Sequence, residues 1–406
     1  MQKTTFSRTL ICLIILFLTT WNISAQINNC IVYDDLTPSQ QATNNHNNSL
    51  GLYFSTPANY ELTPKKFKVH FWSLRHETID TLGAHISYRM ATDYVKRLNE
   101  IYAPYQICFV LDGNGILKST SHMKGKSPSQ LKAEGIIKGS YRDDAINIYV
   151  ADSLASNASG LANYYSNSVA VKKKVIYYSG FLLAHEIAHA LGIMHTIGSI
   201  NELPKLPNGM GDLSFCEHVT RNISDPNFNA DSAGDYVVDT PADPGLVGTV
   251  TSTYYNVDIN CNYFGSQVDC TGTPYQVDNV LTNNIMSYGP ENCKQNLTLG
   301  QAERIHYGID NADPANHPVK RALVTSPNLN TFDLVVRNSP LDFGIEPDTV
   351  STTFWQSPDI WVRTTNDNSE YHENPVYGNG NNYVKVRIVN KGCTPSDGQG
   401  KLKLVE

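Results

Sequence analysis

Beyond its first twenty-five residues, this 406-residue chain has no apolar run long enough to cross a bilayer. It has no basic surplus: 31 Lys and Arg stand against 38 Asp and Glu, a formal charge of −7. That balance argues against a nucleic-acid partner or an anionic membrane surface. No internal repeat and no glycine-rich phosphate loop is present, which removes solenoids and nucleotide-binding α/β units from consideration. Cysteine is sparse, eight in all, and Cys12 lies in the amino-terminal segment. The seven that remain are an odd number for disulfide pairing.

What is present begins at that terminus. Lys3 and Arg8 precede the apolar run Leu10 to Leu18, and Ile23-Ser24-Ala25 closes the segment. This is the three-part build of a secretory signal peptide, with cleavage expected near Ala25. The run is too short to be a comfortable membrane span. Its removal takes the charge from −7 to −9 and leaves an exported, secreted protein in an oxidising setting. Surface attachment is compatible with that reading. Residues 26–65 are polar and Asn-rich and form a candidate prosegment.

Near the middle of the chain stands His185-Glu186-Ile187-Ala188-His189-Ala190-Leu191-Gly192-Ile193-Met194-His195. On an α-helix, His185 and His189 lie one turn apart on the same face and can reach one metal ion. Glu186, beside the first ligand, leans into the same cleft without occupying the metal. Gly192 suits the left-handed conformation that ends many helices, so the chain can turn and bring His195 back as a third ligand. Three imidazoles leave the fourth corner of a tetrahedral zinc site for water, and Glu186 is placed as general base. The glycine and third histidine at fixed offsets make the pattern far narrower than His-Glu-x-x-His alone. A zincin with a glutamate third ligand is the nearest enzyme rival, and His195 argues against it.

These residues resemble the metzincin signature, which is followed downstream by a Met-turn. Asn283-Asn284-Ile285-Met286-Ser287-Tyr288 is similar to that turn. Gly234-Asp235-Tyr236-Val237-Val238-Asp239-Thr240-Pro241, Cys293 and Thr298-Leu299-Gly300-Gln301 resemble segments of the pappalysin family, including its cytophagalysin and ulilysin type. The resemblance covers roughly residues 66 to 308. It implies an α/β (α+β) metzincin catalytic domain with a twisted mixed sheet and a zinc helix. It implies Met286 as a hydrophobic floor beneath one catalytic zinc, and Tyr288 as a catalytic hydroxyl approaching the zinc or the oxyanion. It also implies disulfides Cys216–Cys270 and Cys261–Cys293, and a pocket wall from Asn283 to Cys293. In relatives an acidic residue before that cysteine goes with basic substrates. Here the position is Asn292, with Glu291 beside it, a departure that leaves arginine or lysine specificity open. Calcium is a candidate second ion, with Asp235 and Asp239 as oxygen donors. Cys30 is a candidate zinc-binding latch in the prosegment, although the Arg/Gly context of such switches is missing.

The implied activity is a secreted zinc endopeptidase acting on polypeptides. The alternative is a catalytically silent secreted binding or adhesion protein that retains the fold; an intact Glu186 argues against it. No nucleic acid and no membrane span are expected, and oligomeric state is not legible.

The organisation follows from local pattern. Phe67–Trp72, Ile107–Leu111 and Ala145–Val150 read as strands, and Ile86–Tyr102 as an amphipathic helix ended before Pro104. The strand at 146–150, or the stretch 160–163 after it, is expected to rim the cleft. Cys108 reads as an inert core thiol. The catalytic domain is expected over residues 66–312 and a linker rich in Asn, Pro and Ser over 313–330. Short β-type runs over 331–406 suggest an all-β sandwich-like module, either small or cut within a longer protein.

Overall fold

The computed structural model describes residues 60–324, apart from 61, 80–81, 120–124, 177–179, 198–215 and 247–255. It also describes 334–336 and most of 357–390. The segment read as a signal peptide, Cys30 and residues 26–59 of the candidate prosegment lie outside the described residues, whereas Lys65 at its end already opens the first strand.

A five-stranded mixed sheet carries the upper half. Its strands are β1 (Lys65–His76), β2 (Ile107–Ser119), β3 (Ile146–Ala151), β4 (Gly160–Ala162) and β5 (Ser168–Lys172). They lie in the order β2-β1-β3-β5-β4. The first four in that order are parallel, and β4 alone runs antiparallel, against β5. Parallel neighbours need crossovers, which α1 (Tyr88–Tyr102) and α2 (Pro128–Lys138) supply. Ser87 caps α1 through the Met90 amide at 3.2 Å, and Ser127 and Gln130 form a capping box on α2, with Pro128 in its first turn.

Alternation along the strands divides the core. Phe67, Val69, Phe71, Ile146, Ile148 and Val150 pack towards α1 and the metal helix. Trp72, Leu74, Tyr149 and Ala170 face the other way, with Leu131 of α2 among them. Every residue of β3 is buried. Of the two segments expected to rim the cleft, residues 146–150 are an interior strand, whereas the 160–162 stretch, β4, forms the sheet edge. The structure corrects the reading of Cys108, which is disulfide-bonded rather than a free thiol.

Below the metal helix the chain is irregular and stapled by two disulfides, Cys216–Cys270 and Cys261–Cys293. Helix α4 (Leu299–Asn311) closes this half, opened by a capping box between Thr298 and Gln301. The stretch read as a linker begins inside the fold. Residues Pro318–Ala322 form a short 3₁₀ helix with Val319 and Ala322 fully buried. Leu323 bridges Phe67, and the Val324 amide donates to the Lys66 carbonyl at 2.8 Å. Farther on, two antiparallel pairs appear, Leu334–Val335 with Val389–Asn390 and Ile360–Arg363 with Tyr383–Val386. Among the described residues, no helix is long and apolar enough to cross a membrane.

Candidate metal centre

Helix α3 (Gly180–Ala190) is buried from Leu182 to its end, so both histidines enter a dry interior. The Ile193 amide turns back to the Ala188 carbonyl at 2.9 Å, and Gly192 takes φ +98°. A methyl on Gly192 would also fall 2.5 Å from the Tyr165 ring. Glycine is thus required twice, for the conformation and for the approach. Tyr165 also lies against Gly308 of α4, where a methyl would fall 2.9 Å from its hydroxyl, and its carbonyl accepts from the Val319 amide at 3.2 Å. The turn delivers His195 to the other two ligands.

The three Nε2 atoms form a tight triangle: 3.0 Å for His185–His189, 3.1 Å for His189–His195 and 3.2 Å for His185–His195. The outer nitrogens decide what this means. His185 Nδ1 lies 2.6 Å from the Ile285 carbonyl and His189 Nδ1 2.7 Å from the Ile193 carbonyl. A carbonyl only accepts, so both rings carry their proton on Nδ1 and aim a bare lone pair inward. Burial drives all three pKa values down, His189 to about 4. Three buried Nε2 atoms within 3.2 Å of one another, two of them with bare lone pairs turned inward, call for a cation. Nitrogens bound at about 2.0–2.1 Å around a tetrahedral zinc stand about 3.3 Å apart, close to the spacing here. The residues fit the ion. Among the described residues, this trio is the one group of three or more His, Cys, Asp or Glu side chains so gathered.

Glu186 is fully buried next to the triangle. Gly160 of β4 faces it so closely that a methyl there would lie 2.1 Å from Glu186 Oε1. The edge strand and the carboxylate therefore share one wall, and Gly160 lies in the stretch 160–163 expected to rim the cleft, although its approach to Glu186 was not foreseen. Met286 is fully buried in the core cluster that includes Ala188 and Ile187 of α3. Tyr288 stacks on His195 with ring centres 4.6 Å apart, and its hydroxyl lies 3.3 Å from His195 Nδ1. That position supports the ligand's outer nitrogen, on the side away from the triangle.

A buried polar chain holds the Met-turn. Asn284 Oδ1 accepts from the Met286 amide at 2.9 Å, and Asn284 Nδ2 donates to Gln301 Oε1 at 2.9 Å. Gln301 Nε2 donates in turn to Asp235 Oδ2 at 2.7 Å. The Gly-Asp segment, α4 and the Met-turn are thereby one network, ending at the Ile285 carbonyl on His185. Burial pushes the Asp235 carboxyl up to about 7. Asp239 Oδ2 accepts from the Gly300 amide at the start of α4, at 2.9 Å. Both aspartates considered for calcium thus direct oxygens at protein donors. Asn292, expected on a pocket wall, is exposed, and its amide donates to the Ile259 carbonyl at 2.9 Å. It ties down the loop beside the Cys261–Cys293 bridge.

No known family model matches the chain. Over 243 residues it is 23% identical to an extracellular metalloprotease of Verticillium alfalfae, covering 55% of this chain and 69% of that one. Among solved structures it is similar to mature mirolysin of Tannerella forsythia in complex with a cleaved peptide. The TM-score is 0.41 and the identity 14%, over 66% of this chain and 97% of that one. Mirolysin in complex with a compound gives 0.41 and 14%, over 64% and 97%.

Proposed function

We propose that this chain is a secreted zinc-dependent endopeptidase of the metzincin type, similar to the pappalysins. One observation carries the reading: three buried imidazoles bring their Nε2 atoms to a common centre beside a buried carboxylate, two of them with the proton held on Nδ1 by a carbonyl. The extracellular metalloprotease relative supports the same class. Two disulfides and the signal-like leader support export.

His185, His189 and His195 would hold the ion. When bound, zinc polarises the scissile carbonyl and brings the pKa of a water molecule towards neutrality. Glu186 accepts the proton of the attacking water and passes it to the leaving amine as the C–N bond breaks. The carbonyls of Ile285 and Ile193 fix two ligand rings in their tautomer and orientation. Strand β4 ends the sheet, so an extended peptide laid along it pairs through main-chain hydrogen bonds. Gly160 brings that peptide directly past Glu186.

The test is Glu186→Gln. The variant keeps stoichiometric zinc and loses cleavage of a denatured protein by at least about 10²-fold. Wild-type cleavage stops on chelation and returns with zinc. A wild-type protein that binds zinc and peptides yet cleaves none would establish the silent binding protein instead.

A further inference from the structure

Thr196 follows the third imidazole of the triangle and is fully buried. Its amide donates to the Met286 carbonyl at 3.3 Å, which ties it to the Met-turn. Its hydroxyl donates to Asp243 Oδ2. The other oxygen of that carboxylate is also occupied: Asp243 Oδ1 accepts from the Gly245 amide at 2.8 Å and the Leu246 amide at 3.0 Å. Asp243 is only 6% exposed. Burial pushes its carboxyl pKa up, and the three donors act against that rise.

The bend that opens at Asp243 returns to the same imidazole from another direction. Leu246 is buried with Val257 and Leu281. A methyl built on Gly289 would lie 3.8 Å from Leu246 Cδ1, in ordinary contact. Gly289 directly follows Tyr288, which stacks on His195 and faces its Nδ1. At His185 and His189 a backbone carbonyl holds the outer nitrogen. At His195 that place is taken by the Tyr288 hydroxyl at 3.3 Å. His195 also lies beyond the end of α3, so the helix does not set its direction. Its aim depends on what grips the turn around it.

We propose that Asp243 is a positioning residue for the third ligand: it holds His195 towards the other two imidazoles through the Thr196 hydroxyl and backs Tyr288 through Leu246. The inference rests on the zinc reading above and deepens it. Partners one step behind a ligand fix its orientation and so set how firmly the ion is held.

The experiment uses the full chain and needs no substrate. It measures release of bound zinc to a chelator and the visible absorption of the cobalt-loaded protein. Thr196→Val keeps the volume and removes the hydroxyl. It releases zinc about 10-fold faster than wild type or more, and it shifts the cobalt bands, which respond to the placement of the ligands. Asp243→Ala does the same. Thr196→Ser restores the hydroxyl and returns both readouts to wild type. Should Thr196→Val not fold, Thr196→Ala is read in the same way. Leu131→Val, in the core on the opposite face of the sheet, lowers the melting temperature but leaves zinc release and the cobalt bands unchanged.

A folded Thr196→Val or Thr196→Ala protein that releases zinc within about twofold of the wild-type rate, with unshifted cobalt bands, overturns the proposal. A Leu131→Val protein that releases zinc as fast as Thr196→Val also overturns it, because the effect is then one of general stability. Thr196-dependent zinc release in a protein that cleaves nothing keeps the positioning role and overturns the proteolytic reading. Cleavage with zinc release indifferent to Thr196 does the reverse.

Discussion

Gly160→Ala is the perturbation that most directly probes the wall shared by the edge strand and Glu186, the proposed general base. The added methyl would stand 2.1 Å from Glu186 Oε1, 2.6 Å from Cδ and 2.7 Å from Cγ, where ordinary contact begins near 3.4 Å. Relief requires a shift of about 1 Å by a carboxylate that has no exposed surface to retreat into. The ligands are not struck, so zinc content should stay stoichiometric. A displacement of that size in a proton-transfer group costs about 10²-fold in kcat, or roughly 2.7 kcal/mol in barrier. Overpacking takes about 1–3 kcal/mol from stability as well. The assay is steady-state cleavage of a quenched peptide, with zinc measured on the same preparation and folding checked by thermal melting. A folded, zinc-loaded Gly160→Ala protein whose kcat stays within threefold of wild type would refute the reasoning.

Gly192→Ala meets both a positive φ of +98° and the Tyr165 ring at 2.5 Å. We expect a loss of about 2–4 kcal/mol by urea unfolding and weaker zinc retention in competition with a chelator, because the same turn carries His195. Asp235 gives a pH signature. Its folded pKa of about 7 lies above its ordinary 3.8, so between these values the unfolded chain is the more ionised state. The folded state is favoured most below the lower value and loses ground as pH rises to about 7, by roughly 4 kcal/mol in all. Asp235→Asn should flatten the dependence of the urea midpoint on pH across that window; an unchanged slope counts against the assignment. Removing zinc from wild type should lower the melting temperature, since ligand binding to the folded state alone stabilises it; an identical melt with and without chelator would contradict a metal held by the three histidines.

The metal centre was legible in the sequence because its ligands lie within eleven residues and helix geometry alone brings two of them together. The Met-turn and both disulfides came from resemblance at short motifs. The partners of those motifs were not legible. Gly160 lies beside Glu186 only because β4 reverses direction against β5, and Asn284 meets Gln301 and Asp235 only after the lower half closes. Helix α2 was missed although Ser127, Pro128 and Gln130 spell its cap; few of its apolar residues are buried, so its periodicity is faint. Strand β5 was missed because four of its five residues are buried, which erases alternation. Asn292 and Lys294 show the limit of reading a loop by position: two residues apart, one is exposed and the other buried.

Tyr165 has an architectural corollary. Its ring touches the glycine that bends the ligand loop and the glycine within α4, while its carbonyl takes the amide of Val319. One aromatic side chain is thus a keystone between the metal helix and the returning carboxy-terminal strap. Truncation ahead of residue 318 would remove the strap and slacken the bend that presents His195. A recombinant fragment meant to keep its zinc should therefore run through at least Val324.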